Sequence, residues 1–260
     1  MSAISQEDAD VLKRARDTLE NPGLAAKITN VIGLPLERAM KQLPNTWLTT
    51  IHRATQNSLM IALDAALATV ETQRSAPSRN GLHRLLVAGT GAAGGAFGLA
   101  ALPVELPVST MVMLRSIVAI ARAEEESLHS LDTKLACIAV FALGGSSKLD
   151  DASESGYFAI RAALATAVAD AARYVTVSGG ARQTAPAIVR FIAQIANRFG
   201  VTVTQKAAAQ AVPVLGAAGG AAVNVLFINH FQHMAWGHFT VRRLERKYGS
   251  EVVRSIYQEL

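Results

Sequence analysis

Apolar residues along this chain recur at helical spacing, and nowhere do they alternate over several residues with strand chemistry. Ser5, followed three residues later by Asp8, predicts a helix N-cap with an acidic first turn, and Asn21-Pro22-Gly23 ends that helix after Glu20. A short amphipathic piece runs to Gly33, and Pro35 and Pro44 bracket another. From Trp47 to about Thr72 one long helix is expected, with Leu48, Ile51, Leu59, Leu63, Ala66 and Val70 on one stripe.

Gln73 to Gly81 is a loop by composition. It divides an N-terminal helical arm, residues 1–81, packing on a main body, residues 82–260. Leu85 to Val104 carries no charge, and Pro103 and Pro107 punctuate its end. Leu106 to Ala121 is apolar on nearly every face, with Arg115 as its one charge, until Glu124-Glu-Glu126 returns the chain to water.

Leu131 to Leu143 is another apolar helix, closed by Gly144-Gly145. Asp150-Asp151 opens a long helix running through Tyr157 and Arg161 to about Val175, where acidic residues suit the positive end of the helix dipole. After Ser178-Gly-Gly180, Thr184 and Pro186 start a helix with Ile188, Phe191, Ile192, Ile195 and Phe199 on one face, ended by Gly200. Ala207 to Val241 holds no formal charge, and Arg242 to Gly249 reads as a basic helix C-terminus with a glycine cap. A last short helix starts near Ser250. The fold class is therefore all-α: a compact multi-helix bundle with Gly/Ala-rich central helices and no sheet.

Composition sharpens this picture. Half the residues are hydrophobic (50%) but only 5% are aromatic, so Ala, Gly and Val supply the apolar content and helices can approach closely. Charged residues are 17% and mean hydropathy is +0.26, which excludes a disordered chain. Gly91-Ala-Ala-Gly-Gly-Ala96 recurs letter for letter as Gly216-Ala-Ala-Gly-Gly-Ala221. The pairs Gly91/Gly95 and Gly216/Gly220 each form a flat strip on a helix, suited to close packing or to a membrane hairpin. Both uncharged stretches reach the ~20 residues a span needs, yet Ala and Gly contribute little to insertion. Pro213, Asn224, Asn229, His230, Gln232 and His233 make the second poor as a lipid-facing helix, so a soluble bundle and a membrane-associated one are equally open.

The net charge of +5 and pI of about 9.6 suit a phospholipid surface. No Lys/Arg-rich run interleaves with aromatics, so nucleic acid is not an expected partner. Cys137, the one cysteine, lies in an apolar run and reads as a buried small hydrophobe. The polar, acidic start is neither a signal nor a transit peptide, so a cytoplasmic location is expected.

Candidate chemistry is sparse. His230 and His233 are one helical turn apart and could chelate together. His238 lies about 12 Å from His230 along a straight helix axis, too far to share an ion. A zinc or other divalent site would need His230 and His233 plus a carboxylate such as Asp150, Asp151 or Glu105. Polar residues satisfied within a bundle are the favoured reading, and no cofactor is expected. Glu105 and Arg115, isolated in apolar sequence, each require a partner, with each other as one option. Neither a phosphate loop nor a nucleophile elbow is present.

Four stretches together resemble the EcsC family: Gly94 to Thr110, Met113 to Arg122, Val140 to Gly145 with Asp150-Asp151 and Gly156-Tyr157, and Val212 to Asn224 continuing to His238–Gly249. They cover the chain from about Leu82 onward, and residues 1–81 match less distinctly. The chain departs at Ala123-Glu-Glu-Glu126, where the resemblance leads to a Gly-Glu pair. The resemblance implies a helical fold and a link to membrane transport or envelope processes, with no assigned chemistry. The leading expectation is a non-enzymatic protein at the cytoplasmic membrane face, partnered by phospholipid or a transporter component. The alternatives are a metal-dependent hydrolase using His230 and His233, and an interaction scaffold that forms homo-oligomers through its Gly-rich faces.

Overall fold

The computed structural model describes residues 4–21, 23–41, 43–68, 98–145, 156–180, 182–212 and 216–260. Within them lie ten α-helices and no strand. They are α1 Gln6–Glu20, α2 Leu24–Ile32, α3 Leu36–Lys41, α4 Asn45–Ala68, α5 Leu102–Ala123, α6 Leu131–Leu143, α7 Gly156–Ser178, α8 Pro186–Gln210, α9 Gly216–Tyr248 and α10 Ser250–Glu259, with a 3₁₀ turn at Gly98–Ala101 before α5.

Local chemistry sets most boundaries. The Ser5 hydroxyl accepts the Asp8 amide at 3.2 Å and caps α1. Gly23 and Gly33 flank α2 at φ of 57° and 68°, where a Cβ would be strained. Helix α5 ends in a Schellman turn: the Glu126 amide donates to Ala121 O at 3.0 Å and the Glu125 amide to Arg122 O at 3.1 Å. Its left-handed position is Glu125, at φ 62°, where glycine is the usual occupant.

Helix α8 does not stop at Gly200 but runs on to Gln210. Nothing crowds Gly200, and the next two turns are held by burial of Thr202, Val203 and Lys206 to Gln210 against neighbouring helices. Tertiary packing there outweighs the ~1 kcal/mol helix penalty of one glycine. Leu48 is 46% exposed, off the buried face of α4 made by Ile51, Ala54, Leu59, Ala62, Leu63 and Ala66. The expected helix opening at Asp150-Asp151 and the expected end of α4 near Thr72 lie outside the described residues.

Helix α9 is the axis of the bundle, about 50 Å long at 1.5 Å per residue. It packs against α1, α2, α5, α6, α8 and α10. It runs parallel to α5, since Gln232 meets Ser116 and Arg242 meets Glu126. It runs antiparallel to α8, where Lys206 lies over Phe227 and Phe199 against Phe231. It is antiparallel to α1 too, with Leu19 at Gly237 and Asp8 at Lys247. The N-terminal helices are integral to the core, because α4 packs against α5, α8 and α6. Phe141, Phe199, Phe227 and Phe231 form its aromatic centre, with ring centroids 5.0 to 5.9 Å apart.

Candidate functional site

At the end where α5 and α9 begin, Glu105 points inward and meets Lys206 of α8 at 2.6 Å. Lys206 is fully buried and Glu105 is 5% exposed. The Lys206 ammonium also lies 4.7 Å from the Phe227 ring centroid. Burial pulls the Lys206 pKa down, against the opposing pull of the Glu105 charge and hydrogen bond. Among the described residues the pair leaves Glu105 Oε2 without a hydrogen-bond partner, and Gln210 Nε2, one turn beyond Lys206, has none either. Glu105 thus pairs with Lys206 and not with Arg115, which lies ten residues along the same helix and is exposed.

The C-terminus of α6 is held by a second polar centre. Arg198 donates to Ala142 O at 2.8 Å and to Gly145 O at 2.6 Å. Thr202 donates to Gly144 O at 3.3 Å, and His230 Nε2 meets that carbonyl at 2.8 Å. A carbonyl only accepts, so His230 Nε2 carries the proton. Burial drives the His230 pKa down to about 4, so the ring is neutral near pH 7. These donors satisfy helix carbonyls and complement the negative dipole end of α6.

The opposite end of the α5–α9 pair is a charge lattice. Glu126, its carboxylate almost fully buried, accepts from Arg242, Arg246 and Thr133. Burial alone would raise its pKa, but the Arg242 hydrogen bond and charge outweigh that and hold it low. Arg243 pairs with Glu124 at 2.8 Å and Lys247 with Asp8 at 2.7 Å. The expectation that Glu124 to Glu126 simply re-enters water is therefore corrected at Glu126.

The three histidines of α9 part company. His230 serves α6, and His233 lines a surface cleft of about 240 Å³ with Asp17, Thr18, Asn21, Lys27 and Met234. His238 Nδ1 lies 2.9 Å from the Tyr157 hydroxyl. That hydroxyl also accepts from Arg161, itself paired with Glu245. Among the described residues no three His, Cys, Asp or Glu side chains are grouped to hold a metal ion. Asp150, Asp151, Gly91 and Gly95 lie outside the described residues. Gly216 opens α9, and Gly220 is buried within it.

Sequence reasoning missed Lys206 and Arg198. A signal for Lys206 existed: it is the one formal charge between Arg198 and Arg242, set beside Ala207-Ala-Ala209.

The outer surface at the Glu105 end has its own character. Helix α5 shows Pro103, Val104 and Val108 outward, with Val104 75% and Val108 43% exposed. Helix α9 beside it carries no formal charge from Gly216 to Val241. The two first halves form an uncharged wall whose one charge, Glu105, is turned inside. The arrangement offers apolar contact and buried ion pairing.

No curated protein and no solved structure matches the chain. A family model described as the EcsC protein family matches residues 6–244, from the first turn of α1 to nearly the end of α9, and the chain belongs to that family.

Proposed function

We propose that this EcsC protein is a non-enzymatic helical protein that docks on the cytoplasmic face of the membrane as an accessory to transport or envelope maintenance. The observation that supports this best is the uncharged wall of α5 and α9. Among the described residues α5 is the one helix long and apolar enough to cross a membrane, and only 44% of that stretch is buried. Exposed apolar side chains such as Val104 and Val108 suit an interaction surface. The net charge of +5 favours anionic phospholipid as its counterpart.

Fractionation tests the reading. The untagged protein should be recovered in part with membranes at low and high salt, and should float with liposomes. A protein wholly soluble at both salt levels and absent from floated liposomes overturns it.

A further inference from the structure

We propose that the α5–α9 wall enters the acyl region of one leaflet of an anionic bilayer, with Arg115 seated at its phosphates; this rests on the membrane reading above. Three observations carry it. First, the outward face of α5 reads Val104, Val108, Met111, Arg115, Ala119, Arg122, spaced as one helical stripe that is apolar and then basic. From Val104 to Arg115 the rise is about 16 Å, close to the half-thickness of a ~30 Å hydrocarbon core. Arg122 lies about 10 Å further on, in the headgroup layer and the water beyond it.

Second, polarity changes within a turn of this level on the neighbouring helix, where half-buried Asn229 precedes Gln232. Gln232 of α9 donates to Ser116 of α5 at 3.2 Å. Towards the wall's tip α9 offers half-buried Ala222, Val225 and Leu226. Third, the cations differ in their engagement. Arg161, Lys206, Arg242, Arg243, Arg246 and Lys247 are each committed to a carboxylate. Arg115 and Arg122 are exposed and form no ion pair among the described residues. Lys13, Arg14, Lys27, Arg38, Lys41 and Arg53 share that state on other helices, and what distinguishes Arg115 and Arg122 is their place on the apolar α5 stripe. A guanidinium on a flexible stem, one turn past an apolar face, is the group that seats on phosphate while its stem lies along acyl chains.

The test is vesicle flotation with phosphatidylcholine alone and with phosphatidylglycerol added. Wild type should partition more strongly to the mixed vesicles. Each cation at an anionic surface is worth about fivefold in partition, so Arg115→Glu should lower binding to the mixed vesicles by roughly 25-fold. Arg173→Glu, the same change in net charge at an exposed position on α7, should leave it unchanged. Val104→Asp should weaken binding to both vesicle types. All three positions are exposed, and thermal melts confirm that the variants fold.

If Arg115→Glu and Arg173→Glu behave alike while wild type binds, the seating of Arg115 is wrong and the membrane reading stands. If wild type binds neither vesicle, the membrane reading itself fails. If wild type self-associates, Val104→Asp is monomeric and no vesicle is bound, the wall's occupant is a second copy of the chain and the proposal is overturned.

Discussion

Adding a single methyl group at Gly145 probes how tightly α6 and α8 are held together. A Cβ there would lie 2.3 Å from Arg198 O and 2.9 Å from Arg198 C, both backbone atoms of α8. No side-chain rotation relieves that contact, so backbones must separate by about 1 Å in an interior packed like a crystal. Overpacking of this kind typically costs about 1–3 kcal/mol. The same movement stretches the Arg198 bonds to Ala142 O and Gly145 O, and charged hydrogen bonds contribute about 1.5–3 kcal/mol each. Partial relaxation overlaps these losses, so Gly145→Ala should destabilise by about 3 kcal/mol. At this chain length that lowers Tm by roughly 6–12 °C. Melts followed by circular dichroism would measure it, with Gly200→Ala as the control. Gly200 sits inside α8 with nothing beyond its own stretch of helix backbone within 4 Å of an added Cβ, so Gly200→Ala should raise stability by about 0.5–1 kcal/mol. If Gly145→Ala melts within about a degree of wild type, or Gly200→Ala is equally damaging, the close crossing is refuted.

Acid should loosen the bundle. The folded chain resists protonating His230, at about 4, and His238, held well below its usual value by burial, whereas the unfolded chain protonates both near 6.5. Their contribution is therefore complete above pH 6.5 and is lost as pH falls towards 4. For His230 the loss is about 3 kcal/mol, read from denaturant midpoints at pH 7.5 and 4.5, and a flat profile over that interval refutes it. Lys206→Met leaves the Glu105 charge buried alone and should cost about 3–5 kcal/mol in denaturant melts, while Glu105→Leu with Lys206→Met should melt near wild type; equal damage from both contradicts the pairing. Glu125→Gly removes a side chain from φ 62° and should stabilise by roughly 0.5–1 kcal/mol in thermal melts; a loss of stability would mean the Glu125 side chain matters more than its backbone.

Features decided within one or two turns were legible in the sequence: the Ser5 cap, the glycine stops at Gly23, Gly33 and Gly249, and the Ile188 to Phe199 stripe. The family was legible too, from words scattered through one order. What escaped depends on neighbours far along the chain. Gly200 has the local chemistry of a stop, but burial of the following turns overrides it. Gly144-Gly145 reads equally as a stop and as a close contact, and only the position of Arg198, more than fifty residues away, shows the second role. The Gly expected after the Met113 to Arg122 stretch has a physical counterpart in the left-handed Glu125, whose neighbour Glu126 is the buried anchor of the charge lattice. Apolar sequence around Glu105 announces that it needs a partner, but cannot say which of the chain's cations will reach it.

The placement of that ion pair bears on how α5 is used. A helix that is apolar on nearly every face has little reason to prefer one rotation about its axis, because each rotation buries similar area. Glu105 removes the ambiguity. With its carboxylate 2.6 Å from Lys206, turning α5 by one residue, about 100°, would part the pair and leave both charges in apolar surroundings. Fixing Glu105 inward fixes Val104 and Val108 outward, one residue before it and three after, and sets Arg115 on the same outer face. At the other end Arg242 to Glu126 and Arg243 to Glu124 hold the axial register of α5 on α9. A buried pair often adds little net stability over well-packed apolar side chains, and its best-attested use is to fix register. Here the two sets of ion pairs act on different coordinates of one helix: rotation at the uncharged end, and height at the charged end. That combination lets a helix of small apolar residues present one defined face, apolar over its first turns and basic beyond, which is the property the membrane reading requires of it.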